Sequence, residues 1–255
     1  MAYSAPYISG ATSGTLTTGT PSLNIPAGYA DGDIAIAFIW LTNTSTGIYA
    51  VTTPSGWLDF SVRTTGLIGS AQSTYAQGFF FYKRISGTQS STSFTCTGSG
   101  RFATITLFKG VSSDTDPSNA IAVGNSGTAG TSLSTSAITS TVDESRIAYF
   151  MGTEAPVTSP PTPITVSTLA NTTLTTLDTA VSGANTIQYN TGFSSNAGTG
   201  IAICSGTLAT AGSTGSLTAT TTNGIKAWVT IALTGIDSGG AVSNNGYKAL
   251  LGVGK

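Results

Sequence analysis

The sequence predicts an all-β fold: a double-sheet, antiparallel, jelly-roll-like β-sandwich built from two similar half-units. Three observations carry this reading. β-branched and aromatic residues come in short runs of period-2 alternation, cut by Gly, Ser, Asn and Pro. No window of a dozen residues keeps a helical i, i+3, i+4 apolar pattern without interruption by Gly or Thr. Finally, "RFATITLFKGVSSD" at residues 101–114 returns as "KAWVTIALTGIDSG" at residues 226–239.

Taken in order, the alternation places strands near residues 22–25, 33–41, 58–63, 76–85, 92–97 and 102–109. A second set follows near 146–152, 174–179, 186–193, 199–209, 216–221 and 226–235. "IAIAF" from Ile34 matches "IAYFM" from Ile147 at a shift of 113, whereas the closing strands match at 125, so the second copy should carry about twelve more residues. Each copy needs its own closing strand if each supplies one sheet, and stacking the two sheets buries a face of both. The half-units are then about 22–117 and 118–237, flanked by arms at 1–20 and 238–255. Ile121, Val123, Leu133 and Ile138 keep the alternation going through the junction. That is the pattern of strands crossing from one sheet to the other, not of a linker.

Ser and Thr make up 80 of the 255 residues, and only 7% are charged, against roughly 25% in ordinary globular chains. The expected surface is neutral and rich in hydroxyls. Net charge is -1 with cations scattered singly, so there is no basic stripe for phosphates and no nucleic-acid partner is expected. No apolar run approaches the roughly 18 residues of a membrane span, and the N-terminus lacks the pattern of a secretory signal. A product made and kept in a cytoplasm is expected. Cys96 and Cys204 fall in strand-like alternations and read as two buried free thiols.

The chain contains no histidine, which removes Ser-His-Asp and Cys-His nucleophile systems and His-ligated zinc. Glycoside hydrolysis needs two facing carboxylates. The only glutamates, Glu144 and Glu154, flank one strand, roughly 30 Å apart at the usual rise per residue. Asp31, Asp33, Asp114, Asp116, Asp143 and Asp237 sit at strand ends, where Asx turns account for them. No catalytic residue, cofactor or metal site is expected. Trp40 and Trp228 read as core, and Trp57, after a Pro-Ser-Gly turn, as a plug at the sandwich end. Tyr29, Tyr49 and Tyr75 fall in loops and are the candidate glycan contacts.

The succession "GDIAIAFIW", "TTPSGW", "FFFYKRISG", "STSFTCTGSGRFATITLFKGV", with the second copy ending "GSLTATTTNGIKAWVTIALTGI", resembles jelly-roll domains of the concanavalin A-like sandwich type found in tailed-phage virion proteins. The resemblance covers residues 22–237 and its motifs are structural. It implies a non-enzymatic virion protein, made in a host cytoplasm: a capsid decoration or cement protein, or a tail or fibre component. Its partners would be other virion proteins and further copies of itself, with a trimer preferred by family analogy. The C-terminal arm would lay Tyr247, Leu250, Leu251 and Val253 into an apolar groove or against an edge strand of a neighbour. The alternative is a tail or fibre adhesion module that binds host-surface glycan near Tyr29, Tyr49 and Tyr75.

Overall fold

The computed structural model describes residues 3–4, 7–16, 22–43, 50–66, 75–97, 100–114, 116–155, 166–171, 173–174, 189–192 and 198–237. Its strands are β1 (Tyr3–Ser4), β2 (Tyr7–Leu16), β3 (Ser22–Leu23), β4 (Ile34–Asn43), β5 (Leu58–Gly66), β6 (Tyr75–Arg84), β7 (Thr92–Ser93), β8 (Gly100–Lys109) and β9 (Ser118–Ser134). They continue as β10 (Thr139–Ser140), β11 (Ser145–Ala155), β12 (Val166–Ala170), β13 (Tyr189–Gly192), β14 (Gly198–Leu208), β15 (Gly212–Ser213), β16 (Thr218–Leu233) and β17 (Ile236–Asp237). Every strand pairing is antiparallel. The protein is all-β among the described residues.

Each half of the chain makes one large sheet, in the order β2-β8-β4-β6-β5 for the first and β9-β16-β11-β14-β13 for the second. β12 joins the second sheet beside residues 218–221 of β16. Position for position the two orders are the same, so β4 corresponds to β11 and β8 to β16. Each half-unit also folds a thin strip over the outer face of its own sheet: β3 with β7 in the first, β10 with β15 in the second. The first strip continues where Thr52 N donates to Thr95 O and Thr97 N to Ala50 O, both at 2.9 Å. The chain thus alternates between large sheet and strip inside each half-unit, not between the two large sheets.

The large sheets stack face to face. Ile34, Ile36, Phe38, Trp40 and Phe80 meet Phe150, Val229, Ile231 and Leu233 in one buried cluster. Phe38 stacks on Phe80 at 4.5 Å, and Phe150 meets Phe38 edge-on at 6.2 Å and Phe80 at 5.9 Å. On the outer face of the first sheet, Ala35, Ala37 and Ile39 lie under Leu23, Ile25, Trp57 and Phe94. On that of the second, Ile147, Tyr149 and Met151 lie under Leu133, Ile138 and Leu217. The central strands are buried on both faces, which is why "IAIAFIW" and "IAYFM" are nearly continuous in apolar residues. Trp57 packs edge-on against Phe94 at 5.6 Å and donates its indole N–H to Thr92 Oγ1 at 3.2 Å. It therefore seals the outer layer of the first half-unit.

Register corrects one sequence match. Ile34 stands opposite Phe108 and Arg146 opposite Leu233, so with the closing strands offset by 125 the opening strands are offset by 112, not 113. A slip of one residue exchanges the two faces of a strand. Because both faces are apolar here, the alternation could not reveal the slip. In the corrected frame Phe38 is equivalent to Phe150 and Trp40 to Gly152, and each pair is in contact across the sandwich. A Cβ on Gly152 would lie 2.4 Å from the Trp40 ring. Glycine is thus required in one half because its equivalent in the other is tryptophan.

Three further expectations change. Residues 7–16, expected within an arm, form β2, an edge strand of the first sheet; Gly, Ser and Thr had masked the alternation. The junction does not cross between sheets, because Ile121 and Val123 belong to β9, the opening strand of the second sheet. The strands expected at 216–221 and 226–235 are one strand, β16. The strand expected at 174–179 lies almost wholly outside the described residues.

Both cysteines are free. Cys204 is fully buried on β14, where desolvation pushes its thiol up to about 12. Cys96 is only half-buried, in the strip of the other half-unit, with Sγ 3.2 Å from Phe94 O. A thiol reagent at mildly alkaline pH is expected to modify the folded chain at Cys96 at most, and Cys204 only in denaturant. Equal reaction at both sites without denaturant would refute this packing. Because the folded value of Cys204 lies above its ordinary 9.0, the unfolded chain sheds this proton first. Its contribution to stability is complete below pH 9 and declines as pH rises toward the folded value.

Candidate functional site

Strands β8 and β16 both end at one pole of the sandwich, where the half-units are joined and the described ends of the chain meet. The first-half loop is shaped there by Gly28 and Gly32, at φ 83° and 93°, conformations that suit glycine. Asp33 closes that loop, accepting Ala30 N at 2.8 Å. Lys109 Nζ donates to Gly28 O at 2.6 Å and lies 3.8 Å from the Asp33 carboxylate.

Arg84, the last residue of β6, ties this loop to the connection between half-units. Its guanidinium donates to Gly32 O at 2.9 Å, to Ser112 O at 2.6 Å and to Asp114 O at 2.7 Å. The fixed fork of an arginine suits such divergent acceptors. Desolvation pulls its pKa down from the ordinary value. The connection in turn pairs with the end of the chain: Ser112 N donates to Thr234 O at 2.9 Å, Thr234 N to Pro117 O at 3.1 Å and Ile236 N to Gly110 O at 3.0 Å. Asn119 Nδ2 bridges Thr234 Oγ1 at 3.0 Å and Ser145 Oγ at 3.3 Å.

On β17, Ile236 and Asp237 pair with Ser4 and Tyr3 of β1. The N-terminal strand therefore lies beside the point from which residues 238–255 continue. Ile236, 51% exposed, presents an apolar side chain at that seam.

Three more aspartates accept backbone N–H groups, Asp116 from its own turn and Asp31 and Asp143 from residues 56 and 68 positions away, where no Asx turn is involved. Asp31 accepts Gly87 N at 2.7 Å, Asp116 accepts Ser118 N at 2.9 Å and Asp143 accepts Ala211 N at 2.8 Å. Glu144 precedes β11 and Glu154 lies near its far end, roughly 30 Å away. Among the described residues, no three His, Cys, Asp or Glu side chains gather as metal ligands.

The candidate glycan contacts do not converge. Tyr29 is half-buried at the junction pole, packs against the outer core and accepts Gln89 N at 3.0 Å. Tyr75 opens β6 opposite Asn43, at the other end of the sheet, again roughly 30 Å away along a ten-residue strand. Tyr49, and the arm residues Tyr247, Leu250, Leu251 and Val253, lie outside the described residues. Sequence reasoning passed over Arg84. The available signal was an arginine at the end of a strong strand, in "FYKRISG", in a chain with only nine cations.

Comparison with protein-family models, curated proteins and solved structures gave no match.

Proposed function

We propose that the protein is a non-enzymatic virion structural component, a capsid decoration or cement protein. In this reading it docks on neighbouring virion subunits through chain ends that leave from one pole of the sandwich. The observation that carries the reading is the pairing of β1 with β17, which sets Tyr3 and Ser4 beside Asp237 and Ile236. Both terminal segments are thereby delivered to one place, which suits a body held by its ends with the remainder exposed. The scarcity of charge agrees with recognition by backbone pairing and apolar side chains. A glycan-binding role has less support, because Tyr29 and Tyr75 stand at opposite ends of the first sheet.

Deleting residues 238–255 is expected to leave the circular dichroism spectrum and cooperative melting intact while abolishing incorporation into particles. A truncated chain that folds and is incorporated at the normal level would overturn the proposal.

A further inference from the structure

The large sheets expose edges of two kinds. β5 carries Asp59 and Arg63, and β13 is four residues long. Charges and brevity are ordinary ways of keeping an edge from pairing with another chain. β9 and β2 have neither device: the 17 residues of β9 and the ten of β2 include no Asp, Glu, Lys, Arg or Pro, and β9 is the longer edge.

From Ala120 to Ser126, β9 pairs with β16 without a break in register. In such a ladder alternate residues turn their N–H and C=O groups away from the partner strand. Among the described residues β9 pairs with no strand but β16. At the middle of this run Val123 is 40% exposed, flanked by the small residues Ala122 and Gly124.

We infer that β9 is a self-association edge, on which a second copy of this chain pairs through its own β9, antiparallel, about a two-fold axis near Val123. A two-fold axis makes the outward donors and acceptors of one strand meet those of the same strand in the partner, so a neutral edge complements itself. Strand direction favours this pair over the trimer expected from family analogy. Tyr7 of β2 stands opposite Lys109, and Ser118 of β9 opposite Leu233, so β2 and β9 both run away from the junction pole. A ring of copies with one polarity would set β2 against β9 in parallel, the less stable arrangement. This inference is independent of how the terminal arms dock. Its consequence for assembly is that a pair carries chain ends at both poles.

The test is the mass of the full-length chain in solution over a wide concentration range, measured for the unmodified protein, Val123→Thr and Val123→Lys. The first two are expected to form dimers. Val123→Lys, which puts an ammonium on the edge, is expected to stay monomeric with unchanged melting because the position is exposed. In the unmodified chain, amide exchange across residues 120–126 should slow as concentration rises, a readout that needs no variant. A monomer at every concentration, a trimer, a dimer untouched by Val123→Lys, or exchange independent of concentration would each overturn the inference.

Discussion

Replacing Gly152 by alanine is expected to destabilise the protein by about 3 kcal/mol or more, near the upper end for an overpacked core. The new methyl would lie 2.4 Å from ring carbons of Trp40. Trp40 is fully buried and meets Phe38 edge-on at 6.1 Å, so the indole has no open side to move into. Gly130 provides the comparison, since a Cβ there would meet nothing within 4 Å. Gly130→Ala is expected to change stability by no more than about 0.5 kcal/mol. Denaturant midpoints with unchanged slopes would measure both effects. Trp40→Leu combined with Gly152→Ala should cost less than the sum of the two single changes, because the smaller side chain makes room for the methyl. Strict additivity would mean that the two positions do not oppose each other.

Phe150→Ala should cost about 3–5 kcal/mol, the range for removing a buried aromatic ring. Phe150 belongs to the second half-unit, yet among the described residues its ring neighbours, Phe38, Phe80 and Phe108, belong to the first. Its loss therefore weakens the joint between the half-units. Set against the roughly 5–15 kcal/mol that holds a typical domain folded, this is a large share. The variant should still melt in one transition at lower temperature. A variant that keeps the midpoint of the unmodified chain would show that the sheets do not share this core.

Much of this architecture was legible in the sequence because the controlling term is local. Alternating β-branched and aromatic residues marked β4, β6, β8, β11 and β14, and the repeated closing strand announced two sheets of one topology. Legibility failed where that term is weak or degenerate. In "YISGATSGTL" small hydroxyl residues carry almost no hydrophobic signal, so β2 read as an arm. In "IAYFM" both faces are buried, and the alternation could not distinguish one register from its neighbour. The Trp40–Gly152 complement is a contact between residues more than a hundred positions apart, which no local pattern encodes. Arg84 spends its charge on backbone carbonyls, partners that leave no trace in side-chain identity. The junction pole was likewise unreadable, since it depends on the pairing of two-residue strands, β1 with β17.

The two half-units form one body around a shared inner core. Native-state hydrogen exchange in the unmodified chain tests it most directly, by comparing the slowest amides of β4 with those of β11 as denaturant is raised. Interdigitation of Phe38, Phe80 and Phe108 with Phe150 predicts that both sets merge into one global opening with a common free energy and slope. Full protection of β4 under conditions in which β11 has already opened would contradict the claim and make the halves two independently folding units.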